Sequence, residues 1–202
     1  MKPEMDLDFL HKVSELFIGN GAKTLTMDEI AREFSISKKT LYQKYANKEA
    51  LLEDVLKYNL NNIIKKIAEL DIKVENAIER MYCRDEHIEK AVESNNSLLI
   101  KQLIKYYPVI FNRHMLEFSD KFVAVLEHNV KRGREQGFYR EDFDEKSYAT
   151  IFFQAKMSYH SSPFINTAEI SMEQFKTDVM DFYMNAITTE KGKSELKKYN
   201  LK

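Results

Sequence analysis

Between Ser35 and Lys48 the chain places Lys38, Lys39, Lys44 and Lys48 without a single acidic residue. Whole-chain charge hides this, because 31 Lys+Arg face 32 Asp+Glu for a net of −1. Local density is what a phosphate backbone senses. A cluster of this kind also fits a solvated lysine face, so the residues between the lysines carry the discrimination. Thr40, Tyr42 and Gln43 add hydroxyl and amide donors. Lysine can donate to guanine O6 and N7, glutamine pairs bidentately with adenine, and hydroxyls suit phosphates. Double-stranded DNA is the partner that this chemistry fits.

Other chemistry is poorly supplied. Cys83 and His87 stand four apart, but zinc wants three or four ligands and no others are near. His114 and Glu117 are expected to form a hydrogen-bonded helical pair, not a catalytic constellation. A P-loop, a G-x-G-x-x-G, a G-x-S-x-G and an H-E-x-x-H are all missing. The expectation is no enzyme, no cofactor and no metal. The single cysteine fits a reducing compartment. Met1 to Asp8 holds three acids and no apolar stretch, and no run nears the ~18 residues that span a bilayer. A cytoplasmic location and no membrane partner follow as expectations.

Helices must position the basic cluster. Five Gly and three Pro leave few forced turns, and apolar residues recur near every 3.6 positions. The first helix is predicted from about Asp6 to Ile18, stopped by Gly19-Asn20-Gly21. Thr26 and Glu29 form a T-x-x-E capping box for a short second helix ending near Phe34. Ser37 caps a third, Lys38 to Tyr45, and Asn47 a fourth, Lys48 to about Lys66. Two short helices around Ser35-Ile36-Ser37, the second one basic, make a helix-turn-helix. Ala31 is small where the helices approach, and Leu41 with Tyr45 anchors the basic helix from behind. Lys38, Lys39, Tyr42, Gln43 and Lys44 are left to face the groove.

The stretch Thr26 to Leu52, TMDEIAREFSISKKTLYQKYANKEALL, resembles the signature of the tetracycline-repressor (TetR) family. Ile30-Ala31, Ile36-Ser37, Thr40-Leu41-Tyr42, Tyr45 and Asn47-Lys48-Glu49 with Leu51 carry the resemblance. Beyond it, only length, helical content and Gly137-Phe138-Tyr139-Arg140 are similar. The resemblance implies a DNA-binding head, a larger helical ligand domain and a homodimer. It assigns Lys38, Lys39 and Lys44 to groove-facing positions and Thr26, Thr40, Tyr42 and Lys48 to backbone contacts, with Gln43 able to do either. Relatives carry a small residue or proline where this chain has Lys39, which suggests an additional groove contact.

The fold class is therefore all-α, with a three-helix head and a larger C-terminal helical domain. The expected divisions are residues 1–48 for the head, 49–66 for a connecting helix, 67–190 for ligand binding and dimerisation, and 191–202 for a charged, frayed tail. Further helices are expected around Val74 to Met81, from Leu98 to Tyr107, from Val109 to Gln136, after Asp144, and from Met172 to Thr188. Aromatic and methionine density points to a pocket for a small apolar effector, with Phe111, Met115, Phe118, Phe122, Phe153 and Met157 as its walls. Ordinary core is the competing reading for each. The last two helices are apolar on two sides. The resemblance implies that they pair across a two-fold axis, with Phe152, Tyr159, Val179, Phe182 and Tyr183 at the interface. The reading is a ligand-released operator-binding repressor. A ligand-independent DNA-binding dimer and, least favoured, a helical enzyme remain as alternatives.

Overall fold

The computed structural model describes residues 7–83 and 98–199. Among them are ten helices: α1 (Leu7–Asn20), α2 (Met27–Glu33), α3 (Lys38–Lys44), α4 (Lys48–Lys73), α5 (Ala77–Tyr82), α6 (Leu98–Tyr106), α7 (Pro108–Glu135), α8 (Glu145–Ser161), α9 (Met172–Ile187) and α10 (Glu190–Leu196). An isolated antiparallel bridge, Tyr139 to Thr188, is the only β pairing among the described residues.

Local chemistry sets the helix starts. Thr26 Oγ1 accepts the Glu29 amide at 3.2 Å, and the Glu29 carboxylate accepts the Thr26 amide at 2.8 Å. Ser37, Asn47 and Asp144 accept amides three residues on, at 3.0, 2.9 and 2.7 Å. Each cap satisfies a donor that the helix cannot. Two boundaries depart from expectation. α4 continues past Lys66 to Lys73 because no Gly or Pro interrupts it. α5 ends at Tyr82 with Cys83 as its C-cap; the expected spacing of Cys83 and His87 lies outside the described residues.

Packing divides the chain into two units, and α4 and α7 contribute residues to both. In the first, described at residues 7–66 and 98–118, α1 buries Leu10, Val13 and Phe17, and α4 buries Leu51, Leu52, Val55 and Leu56. Ser14 and Asn59 exchange side-chain hydrogen bonds at 2.9 and 2.8 Å, which satisfies the buried hydroxyl of α1. α6 packs on α1. His114 is buried, and its Nε2 lies 3.3 Å from Glu53 Oε1 of α4, beside Arg113 Nη2 at 2.5 Å. The expected His114–Glu117 pair is thus replaced by a partner 61 residues away; Glu117 is exposed.

The second unit is described at residues 67–83 and 119–199. Val123, Leu126, Val130, Tyr139, Phe152, Tyr183, Met184 and Ile187 form its core. Gly137-Phe138-Tyr139-Arg140 organises the turn out of α7. The Tyr139 hydroxyl donates to the Ala77 carbonyl at 3.0 Å, and the Arg140 amide donates to the Ile187 carbonyl at 2.8 Å. The Tyr139 ring lies so close to Gly133 that a Cβ there would sit 2.1 Å from its Cδ2. The tail is not frayed through its first two turns. α10 starts on the Thr189 cap, and Leu196 joins the core. Gly192 permits this, since a Cβ would meet the Phe138 carbonyl oxygen at 2.1 Å.

A buried carboxylate ties three elements of this unit together. Asp71, near the end of α4, receives Arg132 Nη2 at 2.5 Å and His128 Nδ1 at 2.6 Å, both from α7. Arg80 Nε of α5 stands 3.6 Å away. Burial lowers the Arg80 guanidinium pKa, and Asp71 opposes that effect.

Candidate nucleic-acid interface

The turn between α2 and α3 is set by its backbone. Ser35 adopts φ 53°, a left-handed conformation uncommon outside glycine. Its amide donates to the Arg32 carbonyl at 3.0 Å, and that of Ile36 to the Ala31 carbonyl at 2.9 Å. Leu41 is fully buried and Tyr45 nearly so, which fixes α3 from its inner side. Burial, with Asp54 nearby, raises the Tyr45 phenol pKa, so it stays neutral. Phe9 of α1 packs on Phe34 and Tyr45, with ring centroids at 5.1 and 6.3 Å.

The residues expected to meet DNA, on α3 and at the starts of α2 and α4, fall into two groups. Lys39, Tyr42 and Gln43 are exposed, and no hydrogen bond or ion pair engages their side chains among the described residues. The others are committed within the protein. Lys38 pairs with Asp28 of α2. Lys44 Nζ lies 4.4 Å over the Phe9 ring. The hydroxyls of Thr40 and Ser37 are 2.8 Å apart, and Thr26 is held in the capping box. Lys48 is the most constrained. Its Nζ donates to the Leu25 carbonyl at 2.6 Å and the Lys23 carbonyl at 3.2 Å, and burial lowers its pKa. It clamps the loop into α2.

Two substitutions separate these roles. Lys48→Ala is expected to weaken binding to every duplex, to flatten the salt dependence by about one phosphate, and to lower thermal stability by about 1 kcal/mol as the two carbonyls lose their donor. Lys39→Ala is expected to leave stability unchanged and to relax base preference at particular positions. If the two variants behave alike in salt titration and sequence selection, Lys39 does not read bases.

The remaining expected residues divide less simply. Phe118 and Phe153 are buried, Phe111, Met115 and Phe122 half-buried, and Met157 exposed. Phe122 and Phe153 pack at 5.3 Å between centroids. None of the six lines the polar groove of about 710 Å³ bounded by Lys73, Asn76, Glu79, Glu135 and Lys191. Of the residues expected at a dimer interface, Phe152 and Tyr183 stack at 4.3 Å and turn into their own core, so they offer a partner almost no area. The Tyr159 hydroxyl donates to the Ile170 carbonyl at 2.9 Å, and Tyr159 is buried as well. Val179 is half-buried, whereas Phe182 is 74% exposed. Ile151, which helical spacing sets on one face of α8 with Phe152 and Tyr159, is 58% exposed. No group of three or more His, Cys, Asp or Glu able to hold a metal exists among the described residues, and no helix there is long and apolar enough to cross a membrane.

Residues 10–55 match the family model for bacterial regulatory proteins of the tetR family. No curated protein matches the chain. Solved structures share its fold. SmeT, the repressor of the Stenotrophomonas maltophilia multidrug efflux pump SmeDEF, aligns over 94% of this chain and 94% of its own, with a TM-score of 0.65 at 12% identity. Escherichia coli NemR in its reduced form aligns over 91% and 98%, with a TM-score of 0.68 at 15% identity. A Cytophaga hutchinsonii transcriptional regulator aligns over 90% and 97%, with a TM-score of 0.69 at 17% identity.

Proposed function

We propose, from the match of residues 10–55 to the model for the tetR family of bacterial regulatory proteins, that the chain is a DNA-binding transcription regulator that represses from an operator as a homodimer and is released by a small apolar effector. One observation carries the reading. A two-helix unit buries Leu41 and Tyr45 and leaves Lys39, Tyr42 and Gln43 exposed and unengaged among the described residues. Side chains without internal partners break no internal bond when they turn to base edges.

One reading helix per chain in a two-fold dimer calls for a two-fold site. Selection of bound duplexes from random DNA is expected to return palindromic or near-palindromic sequences, with half-sites about one helical turn (~34–36 Å) apart, or farther apart if two dimers bind. Recovery of asymmetric single half-sites would defeat the homodimer reading.

The effector reading is supported by the apolar content of α7 and α8, where Phe111, Met115, Phe118, Phe122, Phe153 and Met157 recur at helical spacing. Aromatics give contact area and methionine adapts its shape. Compounds found by thermal shift are expected to lower operator affinity by roughly 5–150-fold, the usual range of allosteric coupling. Ligands that bind and leave operator affinity untouched would favour a dimer that binds DNA without an effector.

A further inference from the structure

Two lysines converge on one ring outside the helix-turn-helix. Lys23 Nζ, from the loop between α1 and α2, stands 4.1 Å from the centroid of the Tyr106 ring at the end of α6. Lys105 Nζ stands 5.2 Å from the same centroid. All three residues are exposed. No ion pair engages Lys23, Lys105 or Lys101, one turn earlier on α6, among the described residues. A solvated lysine face spreads its charges apart, whereas here two ammonium groups are gathered on one ring. The Lys105 hydrogen bond and the two ammonium charges lower the Tyr106 phenol pKa, so the group already senses a surplus of positive charge.

The arrangement is held from both sides. The Lys23 amide donates to the Gln102 side chain of α6. Gly21, at φ +82°, lies so close that a Cβ there would come within 2.6 Å of Gln102 Nε2. The Lys48 ammonium grips the carbonyls of Lys23 and Leu25. Lys23 is three residues before Thr26, so the patch continues the expected backbone-contacting positions at Thr26 and Lys48.

We propose that Lys23, Lys105 and Tyr106 form an additional phosphate-contacting site that carries the DNA interface from the helix-turn-helix onto α6. Two ammonium groups pair with phosphate oxygens, and the phenol donates a hydrogen bond to the same backbone. The site contributes affinity without reading sequence. It rests on the DNA-binding reading above.

The test is the Lys23→Ala/Lys105→Ala double variant in salt titrations with two probes: a duplex recovered by selection from random DNA, and an unrelated duplex of equal length. The salt slope is expected to fall by about 1.8 per bound chain, at ~0.9 per phosphate. Both duplexes should weaken by the same factor with base preference kept, and the Lys23→Arg/Lys105→Arg variant should retain the wild-type slope. A double-alanine variant with wild-type slope and affinity would overturn the site and leave the helix-turn-helix reading standing. A wild-type protein that binds neither duplex would overturn both.

Discussion

Phe182→Glu is expected to convert the protein to a monomer at micromolar concentration and to lower operator affinity by roughly 10²–10⁴-fold, the range of avidity lost when two linked half-sites are read singly. At 74% exposure Phe182 contributes little to the fold of its own chain, so the variant should stay folded and lose only the stability that dimerisation adds. In a homodimer the same side chain would sit against a partner, where an added carboxylate must be desolvated without a counter-charge. Phe152→Glu provides the contrast. Phe152 is 3% exposed and stacked on Tyr183, so that substitution should unfold the second unit outright. Sedimentation of the two variants decides the matter. If Phe182→Glu stays dimeric and stably folded, α9 is not part of the interface.

Asp71→Ala is expected to cost about 3–5 kcal/mol of stability, because it strands two buried cations. Arg80 and Arg132 are only 11% and 16% exposed at their side chains, and Asp71 is the acid that faces both. Their remaining bonds, to the Ile67 carbonyl at 3.0 Å and the Val74 carbonyl at 2.7 Å, are to neutral acceptors. The Asp71→Leu/Arg132→Leu double variant should recover a good part of the loss, since replacing a buried pair by apolar groups often costs little. Urea unfolding followed by a probe in the second unit measures both. A loss below about 1 kcal/mol for Asp71→Ala would mean that water already screens the two guanidinium groups.

Much of the site was legible because it is local. Thr26-x-x-Glu29, Ser37, Asn47 and Asp144 each act within three residues, and the structure forms every one of those caps. The buried Leu41 and Tyr45 follow from helical spacing over a single turn. The apolar character of α9 on two sides was legible in the same way, but the direction of each side was not. Phe182 and Tyr183 are chain neighbours, one exposed and one buried, and only the packing of α8 against α9 selects which is covered.

The sequence by itself determined an all-helical chain, where its capped helices begin, and which short helix carries the lysines, because hydrogen-bond caps and 3.6-residue periodicity are interactions between near neighbours. Tertiary structure alone decided what depends on residues far apart in the chain. It brought Asp71 to His128 and Arg132, 57 and 61 residues away, and Lys23 to Tyr106 and Gln102. It also ordered the tail, where Leu196 enters a core built from α5, α7, α8 and α9. Such contacts follow from how helices stack. Periodicity marks a helix face as apolar but does not identify the residue that meets it.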